Sequence, residues 1–178
     1  MAGNYGFIHE KIDIKVLILF IMRRLFEPIT FEALTELTLF DGGISYFDYS
    51  ECVADLVRTG HLRFEGDAYS ITDKGMHNGG VVENNLPYSV RIKAENRASM
   101  FRALQGREAM IETSSAENPD GGFVVNLALS DGVGEIVKME LYTVNESQAR
   151  SLEKGFRKNA EGIYHAIMEM LLGNKNPD

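Results

Sequence analysis

The stretch Val16-Leu17-Ile18-Leu19-Phe20-Ile21-Met22 is seven consecutive apolar residues in the middle of a segment with no Gly or Pro. The segment from Ile12 to Phe26 reads as a helix that Pro28 stops. Ile14, Val16, Leu17, Ile18, Leu19, Phe20, Ile21, Met22 and Leu25 occupy nearly every face of it. A helix that is apolar all round must be covered all round. A small domain rarely manages that alone, so the expectation is that a second domain or a second subunit covers the far side. A membrane span would need about 20 such residues. A secretory leader would need a small-residue cleavage site after the run, and Arg23 and Arg24 follow it instead. The reading is a soluble, cytoplasmic protein with no membrane association.

Around that helix the chain is ordinary for a globular protein: 178 residues, 44% hydrophobic and 25% charged, enough for one or two small domains. Its net charge of −8 matters more, because a dedicated nucleic-acid binder is basic over its domain. Cys52 is the one cysteine, so no intramolecular disulfide forms and a reducing compartment suits the chain. His9, His61, His77 and His165 are scattered, and no metal-ligand spacing or cofactor motif is present.

Residues 1 to 9 read as a mobile tail. After the first helix, Glu27-Pro28-Ile29 is a short extended piece, and Thr30 caps a helix to about Phe40, with Leu34, Leu37 and Leu39 on its apolar side. Asp41-Gly42-Gly43 turns the chain, and Ser45 caps a third helix to about Thr59. Tyr49, Val53 and Leu56 face inward on it, and Gly60 ends it. Two alternating stretches, His61–Glu65 and Ala68–Thr72, are joined by Gly66-Asp67, which predicts a type II′ hairpin with Leu62, Phe64, Tyr69 and Ile71 as candidates for its buried face. Asp73-Lys74-Gly75 turns the chain again, and Asn- and Gly-rich Met76–Leu86 reads as a linker.

The order helix, strand, helix, helix, hairpin is that of a winged helix-turn-helix, here over residues 10–80. Leu56-x3-Gly60-x-Leu62 and Ile71-Thr72-Asp73-Lys74-Gly75 resemble signatures of bacterial regulators of the MarR and PadR types. A second domain is expected over 86–173. It opens with a helix from Pro87 to about Gln105, carrying Val90, Ala94, Ala98, Phe101 and Leu104 along one side. Three strands follow, at Arg107–Ser114, Phe123–Leu129 and Ile136–Val144, with turns at 118–122 and 131–132. Phe123, Val125, Leu127 and Leu129 share one face of the middle strand, and Val137, Met139 and Leu141 one face of the last. That pattern predicts an antiparallel meander covered on one side. The cover is a helix over Glu146–Leu172, opened by Asn145 with Gln148 and carrying Ala149, Leu152, Phe156, Ala160, Ile163, Ile167 and Met170 at steps of three or four. It would span roughly 40 Å. The fold class is α+β: an N-terminal winged helix-turn-helix, then a small antiparallel three-stranded sheet packed by long helices. The all-apolar first helix and the long last helix together predict a homodimer.

The whole plan resembles a bacterial family of winged-helix proteins described only as a domain of unknown function. Lys15–Ile21 before Pro28-Ile29-Thr30, Tyr69–Gly75, and Phe156-x2-Asn159-Ala160-x2-Ile163-Tyr164-x2-Ile167 carry the resemblance. It implies a winged helix with an α/β appendage and a regulatory role, and it brings no catalytic residues with it.

In a DNA-binding winged helix the third helix enters the major groove and the wing meets phosphate or the minor groove. That makes Tyr46, Tyr49, Ser50, Arg58 and Arg63 the candidate contacts with double-stranded DNA. The charge opposes it. Asp48, Glu51 and Asp55 outnumber Arg58 on the helix, Glu65 and Asp67 flank the wing tip, and residues 1–87 hold 7 basic against 13 acidic side chains. Phosphate contacts supply most non-specific affinity, and carboxylates facing phosphate work against them. Residues 88–107 hold Arg91, Lys93, Arg97, Arg102 and Arg107 against Glu95 alone. They read as a surface for an acidic partner or as a solvated, internally paired helix face, the second being the commoner meaning of a charge run. Cys52 reads as a small buried side chain rather than a redox sensor, because its neighbours Asp48, Glu51 and Asp55 would hold its thiol protonated. Tyr46 and Phe47 are equally placed for core or surface. Three functions follow: a DNA-binding transcriptional regulator whose second domain dimerises or senses an unidentified small-molecule effector; a winged helix used for protein–protein contact; and an enzyme, for which no nucleophile–base pair or phosphate loop exists in the sequence.

Overall fold

The computed structural model describes residues 8–173, and the chain divides into two compact units, one ending at Ala103 and the other starting at Leu104. The protein is α+β, with helices in the first unit and, in the second, a three-stranded antiparallel sheet with a long helix. The second unit starts eighteen residues later than the expected second domain at residue 86, because the helix Tyr88–Ala109 lends Val90, Ala94 and Ala98 to the first core.

The first helix, α1 (Lys11–Met22), ends four residues before the expected Phe26. Arg24 and Leu25 close tight backbone turns onto Ile21 and Met22, and the Arg24 guanidinium donates to the Phe20 carbonyl at 2.9 Å. Every residue from Val16 to Met22 is buried. The covering elements all belong to the same unit: α2 (Phe31–Thr38), α3 (Tyr46–Arg58), the strand β2 (Ala68–Ile71), α4 (Asp73–Val82) and the 3-10 turn Glu83–Asn85. Leu86, Val90, Ala94 and Ala98, in the segment expected to open the second domain, share the core with α1. One wall is α4, which occupies residues whose sequence predicts a turn and a linker.

Thr72 caps α4 by accepting from the Gly75 amide at 3.1 Å, so the helix starts where a turn was expected. Its glycines mark close approach. A Cβ on Gly75 would lie 2.2 Å from the His61 carbonyl oxygen, and one on Gly79 would lie 3.2 Å from Leu19 Cβ and 2.8 Å from Arg23 Cδ. Glycines four apart form the face by which α4 lies against its neighbours.

Thr30 and Ser45 cap α2 and α3 as expected, accepting from the amides of Ala33 at 3.3 Å and Asp48 at 3.1 Å. The strand β1 (Leu62–Glu65) pairs antiparallel with β2, Leu62 opposite Ile71 and Phe64 opposite Tyr69. Gly66 and Asp67 both have positive φ, 57° and 63°, so the hairpin has a type I′ turn and not type II′. Of the four hairpin residues expected inside, Leu62 is buried, Tyr69 and Ile71 are half-buried, and Phe64 is exposed and stacks on Tyr69 at 4.7 Å. Ile29, set extended next to Pro28, exchanges both backbone bonds with Tyr69.

In the second unit the sheet order is β3 (Ile111–Glu117), β4 (Phe123–Ser130), β5 (Glu135–Thr143). The first strand begins four residues later than expected because α5 (Tyr88–Ala109) continues past Gln105. Ile111, Leu129 and Val137 align across the strands, as do Leu127 and Met139. Val125, Leu127 and Leu129 are buried with Ala149, Phe156 and Ala160 of α6 (Glu146–Leu172), so one face of the sheet is covered by that helix. Asn145 caps α6, accepting from the Gln148 amide at 2.9 Å. The helix is kinked at Asn159, whose φ of −144° and ψ of 38° are not helical. Among the described residues no helix is long and apolar enough to cross a membrane.

Candidate nucleic-acid interface

The face of α3 that matters is fixed by what its other faces do. Tyr49, Cys52, Val53 and Leu56 are turned into the core. The next stripe, Asp48, Glu51 and Asp55, at steps of three and four, lies against α1. Lys11 Nζ is 2.8 Å from Glu51 and 3.5 Å from Asp48, and Lys15 pairs with Asp55. Lys11 and Lys15 are themselves one helical turn apart, so the two stripes match. The pairing is reflected in the titrations. Hydrogen bonds from Ser45 and then the charge of Lys11 hold Asp48 below the usual carboxylate range. Lys15 and then Arg58 do the same for Asp55, and the bond to Glu51 raises Lys11.

Outward on α3 are Tyr46, Phe47, Ser50, Glu51, Ala54 and Arg58, with Glu51 exposed beside Lys11. Tyr46 is exposed and meets Phe31 edge-on at 6.2 Å; Phe47 is 76% exposed. The Ser50 hydroxyl donates to the Tyr46 carbonyl at 2.8 Å, which half-buries it but leaves the oxygen's acceptor capacity. Arg58 is exposed and pairs with Asp55; Arg63, on the hairpin, stands 3.7 Å from Glu65 and is also exposed. Exposed pairs of this kind are worth about 0–1 kcal/mol, so either guanidinium can exchange its carboxylate for a stronger anion at little cost.

Tyr49 is the correction to the candidate contacts. Its side chain is fully buried, packed on Phe31 at 5.4 Å, and burial pushes its phenol pKa well up. It holds α3 in place and cannot touch a ligand at the surface. Tyr46 and Arg58 on α3 and Arg63 on β1 are exposed, and Ser50 on α3 is half-buried. In the basic stretch 88–107, four of the five cations contact other residues of the chain: Arg91 donates to Asn84 and Arg97 to the Glu36 carbonyl, both at 2.8 Å, Arg102 lies over the Phe26 ring at 5.4 Å, and Arg107 holds Glu161 through two bonds. Cys52 is buried with its thiol raised, first by burial and then by Asp48 and Glu51, against the pull of Lys15 and Lys11. Among the described residues no group of three His, Cys, Asp or Glu side chains could hold a metal.

Counting charges along α3 missed Lys11 and Lys15, because they lie some forty residues away in the chain. Their four-residue spacing against Asp48, Glu51 and Asp55 was the available signal.

The model of one protein family matches residues 14–171. No curated protein and no solved structure matches the chain.

Proposed function

We propose that this chain, which belongs to the family described as a domain of unknown function, DUF4364, is a winged-helix DNA-binding protein of the transcriptional-regulator type. Helix α3 enters the major groove, and the β1–β2 hairpin lies along the backbone as the wing. The observation that carries the reading is the capture of Asp48, Glu51 and Asp55 by Lys11 and Lys15. It offsets part of the electrostatic objection, two lysine charges set against three carboxylates of which Glu51 stays exposed. Tyr46 and Ser50 then supply base-edge or sugar contacts, and Arg58 and Arg63 supply phosphate contacts. The homodimer expected from α1 is not part of this proposal, since α1 is covered within its own unit.

The test is fluorescence anisotropy of the full chain against mixed-sequence duplex DNA along a salt titration. Binding that weakens with salt is expected, with Arg58→Ala and Arg63→Ala each lowering the log–log salt slope by about 1. No binding at low salt sinks the reading.

A second reading is a winged helix that binds a protein. The exposure of Phe47, at 76%, and of Phe64, at 48%, favours it, because exposed aromatics flanking one helix suit the centre of a protein interface. Phe47→Ala separates the two. It would abolish capture of a protein partner and leave the salt slope on DNA unchanged.

A further inference from the structure

Behind α3, on the side away from the outward face, α1, α3 and α4 enclose a crevice of about 320 Å³. This lies at the small end of ligand-site volumes. Its walls are Val16 and Leu19 of α1, Leu56 of α3 and Val82 of α4, and the first three are buried to within a few per cent. The charged groups at its edge, Lys15 and Asp55, neutralise each other. Its polar end is a relay. The Thr59 hydroxyl donates to the Asp55 carbonyl at 2.7 Å, so it accepts from His61 Nδ1 at 2.9 Å. That tautomer leaves His61 Nε2 to accept from Asn78 Nδ2 at 2.9 Å. The amide oxygen of Asn78 then has no hydrogen-bond partner among the described residues. Burial, and after it the charges of Lys74 and Lys15, hold the imidazole neutral, so the end of the crevice presents no net charge.

We infer that this crevice is a binding site for a small neutral molecule, apolar over most of its surface, with one hydrogen-bond donor directed at the amide oxygen of Asn78. An anion would find no uncompensated cation there, and a cation no free carboxylate. A wholly apolar molecule would leave unmatched the polar edge that Asn78 and Asn85 give the crevice, which costs binding. The inference does not depend on DNA binding, and its test uses no DNA.

Indole is the probe: neutral, flat, with one N–H, and small enough for the volume. Its 1-methyl derivative lacks the donor. Two-dimensional amide NMR of the full chain is expected to show saturable one-to-one binding of indole, with a Kd on the order of 1 mM for so small a ligand. The largest shifts should cluster at Val16, Leu56, His61 and Asn78. 1-Methylindole should bind at least about fivefold more weakly, and Asn78→Ala should bring indole down to the same level, as the loss of one good hydrogen bond requires. Val82→Trp, which fills the crevice, should abolish the shifts. If that variant does not fold, the indole pair with Asn78→Ala decides alone. Non-saturating shifts, shifts centred elsewhere, or equal binding of the two probes would overturn the inference.

Discussion

The two units bury apolar surface by different routes. In the first, one helix with no polar face is wrapped by every neighbouring element, and the core runs from Ile8 through α1 to Ala98 of α5. In the second, Val125, Leu127 and Leu129 present one face of a sheet to Ala149, Phe156 and Ala160 of a single helix, and Glu112, Asn126 and Glu140 on the other face are exposed. An enclosed core cannot relax into a void. A one-sided layer, edged by half-buried Leu152, Ile163 and Tyr164, can. The first unit is therefore the stiffer support, and it is the one that holds α3 and the hairpin.

The largest effect should come from truncating one ring in each unit. Phe20→Ala is expected to cost about 5 kcal/mol and Phe156→Ala about 3 kcal/mol, because the cost rises with the cavity that persists. Phe20 also carries the Arg24 guanidinium 3.4 Å above its ring. Denaturant melts of the two variants giving equal costs, or the reverse order, would break the comparison.

Glycines sharpen it next. Gly75→Ala must displace the His61 carbonyl, 2.2 Å from the new Cβ, and should destabilise by about 2 kcal/mol or more. Gly155→Ala on α6 meets nothing within 4 Å and should stabilise by up to about 1 kcal/mol, from helix propensity alone. Opposite shifts in Tm are the expected result. A neutral Gly75→Ala would mean that α4 is not held as closely as its backbone spacing requires.

The units should also differ in where acid weakens them. His61 is held below its ordinary value of 6.5, so the unfolded chain binds its proton more readily. The stability it contributes is full above pH 6.5 and declines as pH falls through its lower folded value. In the second unit, Glu161 is lowered first by Arg107, and Asp131 by the amides of Gly134 and Val133. Their contributions are full above the ordinary carboxylate values of 4.5 and 3.8 and decline only below them. Amide exchange against pH should therefore show α4 loosening before β4, and simultaneous loosening would argue against the His61 relay.

The smallest effect is Tyr49→Phe. The Tyr49 hydroxyl is buried beside Thr35 without meeting hydrogen-bond geometry. Removing it should change stability by no more than about 1 kcal/mol, and DNA affinity not at all. A tenfold loss of DNA binding would return Tyr49 to the contact surface.

Local chemistry made much of this legible in advance. Thr30, Ser45 and Asn145 marked three helix starts, because a capping side chain bonds amides two or three residues away. The alternation of Phe123, Val125, Leu127 and Leu129 located both the middle strand and its buried face, because successive strand side chains point to opposite sides. Arg58, Arg63, Tyr46 and Ser50 were likewise readable as residues of one helix and one hairpin. What failed were inferences that depend on distant partners. Glycines at 75 and 79 mean a turn and a linker when only neighbours in the chain are counted, and a packing face once His61 and Leu19 lie against them.

The sequence by itself determined the order of the elements other than α4, the capped starts of α2, α3 and α6 and the face the middle strand of the sheet buries, since these follow from bonds and periodicities spanning a few residues. The tertiary structure alone decided that α1 is closed within its own unit, that Tyr49 is core while Phe47 is surface, and that three carboxylates on α3 are answered by two lysines on α1. Those outcomes rest on which surfaces meet across tens of residues, and local periodicity carries no record of that.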